Sequence, residues 1–211
     1  MKSNKFPWAA LRRAPQSILA SALLLGAAAG CTHVMPVTVK SAALLSVPKT
    51  PVSIALVLDK DFVQYKHALH MMGDTFSSPL GPALQDYATN VTANQFAQVA
   101  VYASSAEAAG KADGILIPKV SKIDESYGLW KNSEHNMVMI IEWTLKDRLN
   151  QKDLWLDSID ARGHGHMGNS FTYKKQHLQL MQELFDDLSQ KTQKAFEAST
   201  EFKKLSKPAT P

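Results

Sequence analysis

The chain has 211 residues, 23 Lys and Arg against 19 Asp and Glu for a formal charge of +4, and a single cysteine. One cysteine excludes an internal disulfide, so stability must come from a packed core. Four of the basic residues, Lys2, Lys5, Arg12 and Arg13, precede residue 31 with no acid among them; without them the charges balance at 19 each, which removes net charge as an argument for nucleic acid.

Those four residues introduce an apolar segment from Ser17 to Gly30. It is about fourteen residues long, short of the roughly twenty that span a bilayer as a helix. A positive n-region, an apolar h-region and the small residues Ala28-Ala29-Gly30 follow the order of a secretory signal, so residues 1–30 read as a signal peptide. Cys31 comes directly after, and the arrangement resembles the lipobox of bacterial lipoproteins. The resemblance implies cleavage between Gly30 and Cys31, and lipidation of the Cys31 thiol and of the new amine. Each buried methylene contributes about 0.8 kcal/mol, and two acyl chains already hold a protein stably on a membrane. Thr32 occupies the position where an Asp retains Gram-negative lipoproteins at the inner membrane. The resemblance therefore implies the periplasmic face of the outer membrane.

Residues 31–51 contain Pro36, Pro48 and Pro51 among small and β-branched residues, which predicts an extended tether. At 3.3 Å per residue its reach is about 60 Å. A single domain is expected over 52–198, followed by a flexible tail over 199–211. Val52 to Leu58 is a nearly continuous apolar run, the pattern of a central strand covered on both faces. Phe62 to Ser78 reads as a hairpin or a surface loop. After Pro79-Leu80-Gly81-Pro82 a helix is predicted, with Leu84, Tyr87, Ala88 and Val91 on one face and Phe96 extending it. A short strand over Gln98 to Tyr102 and a helical turn capped by Ser104 or Ser105 come next.

Gly114 to Val120 is the third strand, continuing towards Ile123, with Pro118 at an edge or bulge because it lacks a donor. Met137 to Leu149 and Leu154 to Arg162 form a hairpin; Ile141, Trp143 and Leu145 share one face, Glu142, Thr144 and Lys146 the other. A last helix runs to about Phe196 with Leu178, Met181, Phe185 and Leu188 as its stripe and Leu184 widening it. This order predicts an α/β fold, a mixed-sheet sandwich in which a βαβ unit is followed by an antiparallel meander and a C-terminal helix.

His164-Gly165-His166 is the sharpest local pattern. Two imidazoles one residue apart can ligate a metal, while the intervening Gly lets a backbone approach closely; the other reading is a polar loop ahead of the last helix. His67 and His70 read as solvated loop residues. Ser104-Ser105 with Glu107 lacks a G-x-S-x-G turn and reads as a helix cap. The run from Gly163 to Gly168 has the glycines of a phosphate loop without its Lys. Asp157 and Asp160, three apart on a strand, point to opposite faces and do not pair. Trp143 and Trp155 lie on strands expected to pair, meeting in the core or forming an exposed patch. Trp130 completes the aromatic set, and Asn90-Val91-Thr92 is discounted as a glycosylation site because it falls mid-helix.

Cys31, the Val52 to Leu58 strand, Leu80-Gly81 leading a helix and Ala112-Asp113-Gly114-Ile115-Leu116 opening a strand together resemble a group of envelope lipoproteins. The group comprises the YajG-like, Pel accessory and curli secretion lipoproteins, with a TolB N-terminal-like core. The resemblance implies a non-enzymatic, membrane-anchored periplasmic lipoprotein that serves as an accessory or assembly subunit in envelope biogenesis or export. Its partners would be the membrane, through the lipid, and other envelope proteins or further copies of itself. No cofactor is expected beyond the lipid on Cys31. The alternative is a periplasmic ligand- or metal-binding lipoprotein using His164 and His166.

Overall fold

The computed structural model describes residues 32–35, 37–40, 44–71, 74–128, 134–166 and 173–205. The signal segment, Cys31, Trp130 and the stretch 206–211 lie outside them. In chain order the elements are β1 (Thr32–Val34), β2 (Thr50–Val57), α1 (Lys60–Val63), β3 (Lys66–Met71), β4 (Asp74–Pro79), α2 (Gly81–Gln95), β5 (Phe96–Tyr102), α3 (Ser105–Ala108), β6 (Gly114–Tyr127), β7 (Glu134–Asp147), β8 (Asp153–His166), α4 (Tyr173–Ala198) and α5 (Thr200–Leu205).

Five strands form the main sheet in the order β5-β2-β6-β7-β8. β2 runs parallel to both β5 and β6, and β6, β7 and β8 form the antiparallel meander. The α/β class, the βαβ unit, the meander and the final helix are all as expected. A second sheet, β1-β4-β3, is additional. It pairs Lys66–Met71 with Asp74–Pro79 antiparallel and adds β1 in parallel along β4.

The apolar run of β2 is covered twice because alternate residues enter different clusters. Val52, Ile54 and Leu56 join the main core, whereas Ala55 and Val57 pack with Ala108 and Ile115 on the other face. In β7 the alternation is complete: His135, Met137, Met139, Ile141, Trp143 and Leu145 are buried in one row. That row meets α2 through Leu84, Tyr87 and Val91, and α4 through Leu180, Met181, Leu184, Phe185 and Leu188. Leu178 is only half-buried; the inward position one turn before Met181 belongs to His177. Trp143 Nε1 donates to Tyr87 Oη, whose other partner is Thr192 Oγ1 at 2.6 Å, so one polar chain links β7, α2 and α4 inside the core. Burial raises the Tyr87 phenol, which stays protonated throughout the physiological range.

Element ends follow local chemistry. Gly81 opens α2 because a Cβ there would lie 2.0 Å from the Val63 carbonyl oxygen of α1. Phe96 does not extend α2; it is extended, its N–H donates to Thr92, and it begins β5. Ser104 Oγ accepts from Glu107 N, which makes it the cap of α3. Pro118 lies in β6 beyond the residues that pair with β2, so its missing donor is tolerated.

Two expectations at the chain's ends are corrected. Where it is described, the segment 31–51 expected as a tether is laid onto the domain instead of standing free. Thr32 to Val34 pair with β4, and Met35 N donates to Ser77 O. Met35 and Val37 are buried. Further on, Lys40 N and Leu45 N donate to the side chains of Gln182 and Gln193 on α4, and Asn94 of α2 donates to Leu45 O. Apolar side chains have a core to enter, and side-chain amides of two helices satisfy an extended backbone that would otherwise need water. Likewise the tail expected from 199 begins with α5. Phe202 is buried against Phe96, Trp155 and Phe196. Trp143 and Trp155 thus belong to one core aromatic cluster, both packed on Phe196.

The β2–β6 junction is closed by a reciprocal lock. Asp113 Oδ2 accepts from Ser53 N at 2.9 Å and from Ser53 Oγ at 2.7 Å, while Asp113 N donates to Ser53 O and Oγ at 3.0 Å each. The backbone and hydroxyl hydrogen bonds of Ser53 hold the Asp113 carboxyl below its usual range. Its stabilising contribution is therefore present above the ordinary Asp pKa and lost as pH falls through the folded value. We predict that Asp113→Ala lowers stability by about 1 kcal/mol at neutral pH, allowing for its partial exposure. Chemical denaturation at pH 7 and pH 3 checks this: the difference between wild type and variant should shrink at the lower pH.

Candidate functional site

β6 and β7 run well beyond β2, which pairs only with Gly114 to Leu116, and their ladder continues to the pair Tyr127 and His135. Along β6, Leu116, Pro118 and Val120 face the core opposite Leu145, Trp143 and Ile141. A bulge between Val120 and Lys122 inserts one residue, so the core-facing positions change from even to odd numbers. Ile123 then lies opposite Met139, and Glu125 opposite Met137. The bulge is what turns Glu125 inward.

The Glu125 side chain is 2 % exposed. His135, its diagonal neighbour on β7, donates from Nε2 to Oε1 at 2.6 Å. His67 on β3 donates from Nε2 to Oε2 at 2.8 Å. His177 on α4 places Nδ1 4.0 Å from Oε1, and its Nε2 lies 3.4 Å from Ser78 Oγ on β4. His67 and Ser78 are directly paired across the β3–β4 hairpin, so one face of the small sheet supplies both contacts. The rings of His135 and His177 stack with centroids 6.1 Å apart.

Burial alone would raise the Glu125 carboxyl, but hydrogen bonds from His135 and His67 and attraction to His135 and His177 hold it down at about 2. Burial lowers His177; Glu125 opposes that shift, and repulsion from His135 and His67 adds to it. The result is an ionised carboxylate facing three imidazoles. Among the described residues, the ligand atoms of Glu125, His135 and His177 form a group within 4.8 Å of one another. This set can hold a proton network or a cation.

His164 and His166 are not in that group. Both lie on the exposed side of β8, and His164 Nδ1 donates to Asn136 Oδ1 at 2.8 Å. A depression of about 910 Å³ adjoins them, lined by Asn136, Arg162, Gln176 and Glu183 among others. The expected loop is strand as far as His166, and Gly163 admits a helix: a Cβ there would sit 2.5 Å from the Leu180 carbonyl oxygen of α4. His67 and His70 are on β3, three apart and therefore on opposite faces. His70 reaches Thr75, whereas His67 enters the buried cluster. Asp157 and Asp160 diverge on β8 as expected; Asp160 faces Lys191 and Arg162. Gly30 and Cys31 precede the described residues.

The cluster's members carry weak signals in the sequence. His135 continues the alternate row of Met137, Met139 and Ile141, and His177 stands four residues before Met181 on the apolar stripe. Glu125 has no such signal, because its orientation depends on the bulge.

No family model matches the chain, and no curated protein matches it. The fold is shared with a Xanthomonas campestris protein of DUF330. That structure superposes with a TM-score of 0.51 at 11% identity, covering 80% of this chain and 98% of the other. A minor lipoprotein from Acinetobacter baumannii gives 0.39 at 14% identity, over 74% of this chain and 93% of that one. A PelC dodecamer from Paraburkholderia phytofirmans gives 0.31 at 16% identity, over 70% and 98%. Among the described residues, no helix is long and apolar enough to cross a membrane.

Removing the carboxylate leaves His135 and His67 without their shared acceptor. Glu125→Ala is expected to lower stability by roughly 3 kcal/mol or more. Lys122→Ala, on the exposed Lys122–Asp124 pair, should cost well under 1 kcal/mol. Urea denaturation of both variants checks the contrast, and equal losses would contradict it.

Proposed function

We propose that this chain is a lipid-anchored, non-enzymatic protein of the bacterial cell envelope, serving as an accessory or assembly subunit in envelope biogenesis or export. The observation that carries the reading is the order of basic residues, apolar segment and Ala28-Ala29-Gly30-Cys31 immediately ahead of the domain. In this reading Cys31 bears the lipid, and the lack of an Asp after it directs the protein to the periplasmic face of the outer membrane.

The docked N-terminal segment changes how such an anchor would work. Thr32, the next residue, already pairs with Thr75 of β4. The acylated residue would therefore adjoin the small sheet, and the domain would sit against the bilayer instead of at the end of a long spacer. Partner binding falls to the opposite end of the main sheet's strand order. The outer edge of β8 is occupied by α4: Asp187 and Glu183 accept from Arg162 N and His164 N, and Lys191 donates to Asp160 O. β5 has no such cover among the described residues. Its sequence, Phe-Ala-Gln-Val-Ala-Val-Tyr, carries no charge, and Val101 is 48% exposed. An uncharged open edge is a template for an added strand, from another envelope protein or a second copy of this chain.

The anchor is tested with Cys31→Ser in cells. Wild type should sediment with membranes and require detergent for release, and the variant should be recovered in the soluble fraction. Unchanged membrane retention of the variant would overturn the anchor.

A further inference from the structure

The buried cluster at the junction of the two sheets has the chemistry of a metal site. We propose that Glu125, His135 and His177 bind one divalent transition ion of the zinc class, with His67 as a positioning residue. Two imidazoles and one carboxylate are a borderline donor set suited to zinc, leaving a fourth position for water.

The geometry is close to what such an ion needs. Metal–ligand bonds of about 2.0–2.1 Å at tetrahedral angles put neighbouring ligand atoms about 3.3 Å apart. Glu125 Oε1 lies 2.6 Å from His135 Nε2 and 4.0 Å from His177 Nδ1. These separations bracket the required one, each within about 0.7 Å, a change that small side-chain rotations supply. The surroundings fit as well. A proton on His177 Nε2, donated to Ser78 Oγ, directs the Nδ1 lone pair towards Glu125. His67 Nε2 holds Oε2 and leaves Oε1 to the ion. The ligands are 2 %, 1 % and 2 % exposed, and His67 at 14% marks the side of entry.

Binding balances as an exchange. The ion takes the place of the Nε2 proton of His135, which binds as the neutral imidazole with its proton moved to Nδ1 through solvent, and the carboxylate binds in its ionised form. The bound ion joins β6, β7 and α4 directly, and ties in the small sheet through His67 and Ser78.

The test uses the full chain purified in detergent, stripped with chelator, reloaded with zinc and freed of excess metal. Elemental analysis should find about one zinc per chain, with a higher unfolding temperature than the stripped form. His177→Ala should abolish retention, and His67→Ala should weaken zinc binding about tenfold. The double variant His164→Ala/His166→Ala should bind as wild type does. Cobalt loaded into the wild type should give the intense visible absorption of a four-coordinate ion, a readout that does not depend on any variant folding. Substoichiometric zinc in the wild type, a weak six-coordinate cobalt spectrum, or zinc lost with His164 and His166 but kept without His177 would each overturn the proposal. None of these outcomes depends on the lipid at Cys31, so the metal site and the anchor fail separately.

Discussion

A carboxylate removed from water loses several kcal/mol of hydration, and the fold must return it through hydrogen bonds and opposite charge. Glu125 imposes that constraint where the β6–β7–β8 meander runs on beyond β2 and β5. Partners come from separate elements: His135 from β7, His67 from β3 and His177 from α4. The His135 contact is internal to the meander, but those of His67 and His177 form only when the small sheet and the start of α4 have closed over its end. The buried charge thus makes the two sheets one unit, although among the described residues no strand of one pairs with a strand of the other.

The rest of the architecture follows from covering one face of that sheet. α2 and α4 bury the row from Met137 to Leu145, and the aromatic cluster around Phe196 closes the opposite end with α5. The N-terminal segment then crosses α4 and α2 on its way to β2, held by Gln182, Gln193 and Asn94. Through β1 it is also part of the small sheet that Glu125 secures. In a lipid-anchored protein this continuity matters mechanically. A load on Cys31 would enter the domain at β1, pass through β4 and the cluster, and reach the meander, leaving the β5 edge at the other end of the main sheet for a partner.

Much of this was legible in the sequence wherever a periodic pattern had a single physical cause. The apolar run at Val52, the alternation around Trp143 and the spacing of Leu84, Tyr87 and Val91 each reported burial directly. What escaped depended on events the pattern does not encode. One inserted residue after Val120 reversed the facing of β6 and hid Glu125. His67 reads as a loop residue because Lys66-His67-Ala68-Leu69-His70-Met71 neither alternates polar and apolar residues nor forms a long hydrophobic run. His135 and His177 sat in apolar rows, where their polarity reads as an interruption unless the acid that pairs with them is known. Gly163 and Gly165 drew attention to the exposed histidines beside them, while Gly163 in fact makes room for the Leu180 carbonyl. The proline-rich segment looked free because its partners are side-chain amides more than a hundred residues away.

The central claim is that the Glu125 cluster joins the small sheet to the main one, and amide hydrogen exchange in Glu125→Gln tests it most directly. The account predicts faster exchange confined to residues 32–40 and 66–79 and to the first turns of α4, with the β2–β6–β7 ladder over 114–117 and 144–147 still protected. Exchange unchanged from wild type across the hairpin, or a uniform rise throughout the main sheet, would contradict it.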